Sequence, residues 1–149
     1  MAKFKYRMQN ILNVKLQLET QAKMELGRQQ ALLREEQDRL KSLQDRKEDY
    51  LEEGRRIRGD VLNAGQLRDN ANAISAMDDL ILAQEDRVDE ALLRVEQARA
   101  KLQEVMQNRK MHEKLKEKAF EQFMGEEKAA EGKAVDELTS YTYGQRRQG

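Results

Sequence analysis

Apolar residues recur at steps of three and four along most of the chain, and no proline interrupts them. A period near 3.5 residues is typical of a coiled-coil helix, which turns one apolar stripe toward a partner helix. Of the 149 residues, 38% are hydrophobic, 38% are charged and only 5% are aromatic. This composition favours an elongated helical chain over a globular core. Disorder is the competing interpretation, and the balanced charges and the apolar periodicity argue against it.

The helical pattern is interrupted repeatedly only between Gly54 and Gly65, where three glycines occur. Each glycine weakens a helix by about 1 kcal/mol relative to alanine. Asn63, followed three residues later by Gln66, is a variant of the capping box that starts a helix. The sequence therefore predicts an all-α fold, an antiparallel two-helix coiled-coil hairpin in residues 1–140. The predicted parts are helix one over about 4–57, a turn over about 58–63, helix two over about 64–138, and a flexible tail over 140–149.

Apolar ladders on both sides of this break supply the predicted interface between the helices. The first ladder has two adjoining steps of four at Ala22, a stutter that locally unwinds a left-handed supercoil. It consists of Phe4, Met8, Ile11, Lys15, Leu18, Ala22, Leu26, Gln29, Leu33, Glu36, Leu40, Leu43, Lys47, Tyr50, Gly54 and Ile57. The second ladder has no slip and consists of Leu67, Asn70, Ile74, Met77, Ile81, Gln84, Val88, Ala91, Val95, Ala98, Leu102 and Val105, continuing through Arg109, His112, Lys116, Ala119 and Phe123.

Pairing Ile57 with Leu67 across the turn sets the register of the hairpin, because short connections make helices antiparallel neighbours. In this register Phe4 meets Phe120. Arms of about fifty residues predict a rod on the order of 80 Å long.

Catalytic and metal-binding patterns are missing from the sequence. The chain has no cysteine and one histidine, His112, so it predicts neither a zinc site nor a histidine-activated nucleophile. The glycines at Gly125 and Gly132 are spaced too widely for a phosphate-binding loop, and Ala134 replaces its Ser or Thr. We therefore expect no enzyme activity, no cofactor and no metal. Without an apolar run of about 18 residues, the sequence also predicts a soluble, cytoplasmic protein.

Two surfaces of the predicted hairpin differ from the rest. One is rich in basic residues, and the other has more apolar residues than the helix interface needs. Residues 1–15 contain four basic residues and no acid, and the register places them beside the basic stretch 109–118. The terminal end of the rod is therefore predicted to be basic, although zero net charge argues against nucleic acid as the main partner. Near the start of helix two, Leu80 and Leu82 exceed what a two-stranded interface needs and are predicted to point outward.

Several stretches of the sequence, taken in their order along the chain, resemble the flagellar export protein FliJ family. They are Phe4-Lys5-Tyr6-Arg7-Met8-Gln9-Asn10-Ile11-Leu12, Asn63-Ala64-Gly65-Gln66-Leu67, Arg109-Lys110-Met111-His112-Glu113-Lys114-Leu115-Lys116-Glu117-Lys118 and Asp136-Glu137. Coverage is nearly end to end. The resemblance implies a monomeric hairpin similar to the central stalk of rotary ATP synthases.

The resemblance further implies a role in bacterial flagellum biogenesis, and so in motility and chemotaxis, through the type III protein export apparatus. There the family binds and stimulates the export ATPase hexamer, links it to the export gate protein FlhA and escorts export chaperones. The protein would lie at the flagellar base, reaching the cytoplasmic face of the inner membrane only through partners. By position, the gate contact would be Ala73, Met77, Leu80 and Gln84, with Ala73 standing where the family often has an aromatic residue. The candidates for the ATPase-ring contact are Lys3, Lys5, Arg7, Lys114, Lys116 and Lys118.

Three alternatives stay open at the level of sequence. The equivalent stalk protein of a virulence type III secretion system would share the fold. A generic coiled-coil scaffold would instead extend both arms into one long parallel helix pair. A nucleic-acid binder using the basic end would show steep salt dependence.

Overall fold

Two α-helices make up the fold, and the computed structural model describes residues 2–61 and 63–148. Helix α1 spans Gln9–Gly59 and helix α2 spans Ala64–Gln148, with no strand in the described ranges. The two helices pack against each other in opposite directions, since the Asn70 amide bonds to Tyr50 while that of Gln84 bonds to Glu36. The predicted all-α hairpin is thereby confirmed.

The contacts of the chain fall into two compact units, and each contains segments of both helices. The terminal unit comprises Met1–Glu19 and Glu104–Gly149, and the turn unit comprises Thr20–Gln103.

Helix α1 begins at Gln9 and not near residue 4 as the sequence predicts. The basic side chains before it disfavour a helix start, because the amino end of a helix carries partial positive charge. A first turn forms where the Gln9 amide donates to the Tyr6 carbonyl at 3.1 Å. Before this turn, Phe4 lies outside the helix and packs on α2, with ring centroids 5.2 Å from Phe120 and 5.4 Å from Phe123. The predicted meeting of Phe4 and Phe120 is confirmed.

Helix α2 continues to Gln148, beyond the predicted end near residue 138. No proline stops it, and hydroxyl groups near the end bond back to the preceding turn. Thr139 and Thr142 donate to the carbonyls of Val135 and Leu138, each at 2.9 Å. The flexibility of residues 140–149 stays a prediction. Gly149 of that segment and Leu62 of the predicted turn lie outside the described residues.

Asn63 caps the start of α2 as the sequence predicts. Its side-chain oxygen accepts the backbone amides of Gly65 at 2.9 Å and Gln66 at 3.3 Å, and its carbonyl accepts that of Leu67 at 3.1 Å. These bonds satisfy donors that the first turn of a helix otherwise leaves unpaired.

One heptad seam, the row of buried and half-buried residues between the helices, runs through each helix. In α2 it follows the predicted ladder from Leu67 to Phe123. In α1 it follows the predicted ladder from Ala22 to Ile57.

Before Ala22 the predicted α1 ladder is wrong at Met8, Ile11 and Leu18, and the stutter at Ala22 is wrong, while Phe4 and Lys15 are half-buried as predicted. Met8, Ile11 and Leu18 are exposed, whereas Leu12 and Glu19 are buried, at 4% and 6% exposure. Steps of three and four then alternate without interruption from Leu12 through Lys15 and Glu19 into the rest of α1.

An ion pair explains why Glu19 is tolerated in the seam. Arg109, at the facing seam position of α2, donates through Nε and Nη2 to the two carboxylate oxygens of Glu19, at 2.6 and 3.2 Å. Its Nη1 also bonds to Glu113 at 2.8 Å. Hydrogen bonds to Glu19 first and Glu113 second raise the pKa of Arg109 above its ordinary value. The guanidinium of Arg109, which is charged like that of any arginine, balances the buried carboxylate.

Gly54 lies inside α1 at a place where the two helices approach closely, and it does not break the helix. A Cβ atom at this position would lie 2.5 Å from the Asn70 side-chain oxygen. Asn70 itself is buried and fixed, because its amide donates to the Tyr50 carbonyl at 2.8 Å. No described glycine has a positive φ, so close approach is the reason for glycine here.

We expect Gly54→Ala to destabilise the hairpin, since the new methyl group displaces Asn70 and breaks its bond to Tyr50. The lost bond costs about 1 kcal/mol, and an unpaired buried amide costs about 1–3 kcal/mol, which exceeds the gain of about 1 kcal/mol in helix propensity. Urea unfolding followed by circular dichroism measures the difference.

Gly27→Ala is the matched control, because nothing lies within 4 Å of a Cβ at Gly27. It should raise the free energy of unfolding by about 1 kcal/mol. Equal stabilisation by both substitutions would contradict the close approach at Gly54.

Candidate interaction surfaces

The four residues predicted to contact the export gate lie in the turn unit, in two different environments. Leu80 is 49% exposed and Ala73 is half-buried, while Met77 and Gln84 are buried, at 9% and 5% exposure. Leu82 is 63% exposed, so the outward orientation predicted for Leu80 and Leu82 is confirmed.

Gln84 acts inside the seam. Its amide nitrogen donates to the Glu36 carbonyl at 2.9 Å and to the Glu36 carboxylate at 2.5 Å. Met77 fills the equivalent seam position one heptad earlier in α2. Both side chains are therefore used in packing α2 against α1, and Leu80 presents the larger free apolar surface.

Leu80 lines a shallow groove between the two helices, with a volume of about 320 Å³. Residues of both helices form its walls: Arg39, Ser42 and Leu43 from α1, and Leu80, Ala83, Gln84 and Arg87 from α2. Ala73 lines a separate groove together with Tyr50 and Ile57. The wall residues of α1 are missing from the predicted site. Heptad counting identifies them, because Arg39 and Ser42 flank the seam residues Leu40 and Leu43.

The six basic residues predicted to contact the ATPase ring all lie in the terminal unit. Lys3, Lys5, Arg7, Lys114 and Lys118 are exposed, and Lys116 is half-buried at a seam position. Packing of Phe4 on Phe120 and Phe123 holds the segment that carries Lys3 and Lys5 against α2.

His112 is half-buried in the seam of the same unit. Its Nδ1 and the hydroxyl of Tyr6 are buried atoms without a hydrogen-bond partner among the described residues. In the described part of the chain, no three His, Cys, Asp or Glu side chains are grouped closely enough to hold a metal ion. Neither described helix is long and apolar enough to cross a membrane.

The protein belongs to the class of two-helix coiled-coil hairpins. Its exposed basic and apolar surfaces are suited to contacting other proteins. The family model described as "Flagellar FliJ protein" matches residues 4–148. The chain belongs to the FliJ family and is a component of the flagellar export apparatus. Comparisons with curated proteins and with solved structures give no match.

The different burial of Met77 and Leu80 predicts different effects of the same substitution. Met77→Asp places a charge in the seam and should lower the free energy of unfolding by about 3 kcal/mol or more. Leu80→Asp changes a half-exposed position and should cost about 1 kcal/mol or less. Thermal and urea unfolding test this, and equal losses would contradict the assignment of Met77 to packing.

Proposed function

We propose that this protein is a non-enzymatic subunit that binds and stimulates the flagellar export ATPase ring, links the ring to the gate protein FlhA and escorts export chaperones. The observation that carries the proposal is the family match over residues 4–148. The separate basic and apolar surfaces support it, since a linking protein needs more than one contact surface. Its proposed place is the flagellar base, on the cytoplasmic side of the inner membrane.

The ATPase contact is assigned to Lys3, Lys5, Arg7, Lys114 and Lys118, with Lys116 beside them in the seam. Exposed lysines steer an acidic partner and fix its orientation. A single hairpin breaks the symmetry of a ring, so it contacts the ATPase subunits unequally. If it binds one conformation of a subunit more tightly than another, it shifts their equilibrium without chemistry of its own.

The gate contact is assigned to the groove that contains Leu80, with Ala73, Met77 and Gln84 as its remaining predicted members. An apolar side chain of the gate would bury Leu80 and fill the space beside Ala83. The arginines Arg39 and Arg87 at the wall would bond acidic or carbonyl groups around it. Met77 and Gln84 contribute by holding α2 in place, because their side chains are used in the seam.

Charge reversal tests the ATPase contact. We expect Lys114→Glu combined with Lys118→Glu to reduce stimulation of the purified ATPase by about tenfold, because two attractive contacts become repulsive. Lys116 is left unchanged, since reversal in the seam would disturb packing.

Arg34→Glu with Lys41→Glu is the matched control, with two exposed basic residues of α1 reversed in the turn unit. It should leave stimulation within about twofold of the parent, as expected for exposed charges that are not part of the contact. Equal stimulation by all three proteins, with helicity unchanged, would rule out the basic end as the ATPase contact.

Leu80→Asp tests the gate contact. Because the variant loses one buried leucine contact, we expect it to bind the cytoplasmic domain of FlhA about tenfold more weakly. Calorimetric titration measures the affinity. Leu93→Asp, at another exposed leucine of α2, is the control and should bind as the parent does. If both variants bind FlhA equally, the gate contact lies elsewhere.

Two of the open alternatives make different predictions for purified protein. The parallel scaffold requires α1 and α2 to continue as one helix, whereas the two helices pair within the chain. A monomeric hairpin sediments as a species of 17.4 kDa. The virulence-system stalk would stimulate an injectisome ATPase in preference to the flagellar one.

A further inference from the structure

The terminal unit inverts the usual coiled-coil arrangement of polar and apolar residues at several positions. Its seam contains Lys15, Glu19, Arg109 and Lys116, while several large apolar side chains face outward. Five of them are Ile11, Val14, Leu18, Met111 and Leu115, with exposed fractions from 40% for Leu18 to 63% for Met111, while others such as Leu16 and Phe120 are exposed at e positions. A two-stranded coiled coil gains stability from the opposite arrangement. We define these five residues as the outer stripe.

Heptad counting places the outer stripe on one side of the helix pair. With Leu12 and Glu19 at a positions, Ile11 and Leu18 occupy g positions of α1, and Val14 lies beside them at c. Counting in α2 from the a position Arg109 puts Leu115 at g and Met111 at c. In an antiparallel pair the g rows of the two helices lie on the same side of the seam.

The turn unit contains a described example of this geometry. Arg39 and Ser42 of α1 occupy g and c positions, and so do Leu80 and Ala83 of α2. All four line one groove. Within the terminal unit, the five residues of the outer stripe therefore lie on the same side of the seam, three on α1 and two on α2, within the width that one helix covers.

Charge around the outer stripe is mainly basic, although Glu104 and Glu117 are exposed in the helix rows of Lys118 and Lys110. Arg7, Lys110, Lys114 and Lys118 are exposed beside it. Glu113 occupies an e position on the other side of the seam and is bound to Arg109 at 2.8 Å. A partner for this surface must bury apolar side chains and place acidic groups against the lysines.

We propose that the outer stripe is a docking site for an amphipathic helix of a partner protein, with apolar residues at heptad spacing and acidic residues flanking them. The incoming helix makes the terminal unit a local three-helix coiled coil and removes the outer stripe from water. The docking itself follows from the outer stripe and its basic rim. The role of the partner rests on the proposed function, because Lys114 and Lys118 are also assigned to the ATPase contact.

The test uses a labelled synthetic peptide of about three heptads, with Leu and Ile at a and d positions and Glu at e and g positions. Its own glutamates keep it from pairing with itself at neutral pH. Fluorescence anisotropy with the full chain should show saturable binding that weakens at high salt, because lysines surround the stripe. A peptide with Lys in place of Glu should bind at least about tenfold more weakly.

Ile11→Ser combined with Leu18→Ser should raise the Kd for the acidic peptide about tenfold or more. Leu82→Ser combined with Leu93→Ser, two exposed leucines of α2 in the turn unit, is the matched control and should leave the Kd within about twofold. Lys114→Gln with Lys118→Gln is a second probe that leaves the apolar residues intact, and it should flatten the salt dependence. Circular dichroism confirms that each variant folds.

Three results would overturn the proposal: no binding of the acidic peptide, equal binding of the lysine peptide, or equal affinity in the Ile11/Leu18 variant. Sedimentation adds a fourth such result. If the parent chain self-associates and the Ile11/Leu18 variant does not, a second copy of the chain covers the outer stripe, and the proposal is wrong. ATPase stimulation is measured on the same variants. Loss of peptide binding with full stimulation would leave the proposed function standing, because the two contacts would then be separate.

Discussion

The continuous heptad seam is the constraint on which the rest of the structure depends. With few large apolar residues, the chain cannot form a globular core, and each helix is stabilised mainly by its partner. Alternating steps of three and four hold one face of α1 on α2 within each unit, from Leu12 to Glu19 in the terminal unit and from Ala22 to Ile57 in the turn unit. An interruption of this alternation would rotate every later side chain away from the partner helix. Glu19 keeps the alternation of three- and four-residue steps, although its carboxylate is then buried between the helices.

Several polar residues in the seam are matched to a particular partner. Asn70 bonds to Tyr50, Gln84 to Glu36 and Glu19 to Arg109, while Lys47 reaches Asp78 at 2.6 Å. Replacing such residues with apolar ones often stabilises a coiled coil, but apolar seams tolerate sliding and alternative partners. A polar pair is satisfied in one register only, because a shift of one heptad leaves its members buried and unpaired. The seam therefore favours a single alignment over maximum stability.

Most of the fold follows from local sequence patterns. The ladder from Leu67 to Phe123 and the Asn63 cap are readable because both depend on residues a few positions apart in one helix. The seam of α1 before Ala22 is not readable in this way, since Leu18 is a better apolar candidate than Glu19 and Ile11 is as apolar as Leu12. The choice depends on Arg109, a residue of the other helix. The reason for glycine at position 54 is not readable from local sequence either, because it depends on Asn70 of the other helix.

Before Ala22, Leu18 is exposed and Glu19 is buried, which is the reverse of the usual coiled-coil pattern. This reversal has a physical meaning. Sequence patterns agree with the fold where a segment is selected only for folding, and they disagree where another requirement acts on it. Exchanging the environments of Leu18 and Glu19 would remove a buried carboxylate and cover an exposed leucine, so folding alone favours that exchange. The turn unit also has polar seam residues, but its seam residues Leu33, Leu40 and Leu43 are half-buried. A requirement for apolar surface on the outside of the terminal unit explains the difference, and a helix that covers Ile11 and Leu18 in the assembled apparatus would satisfy it.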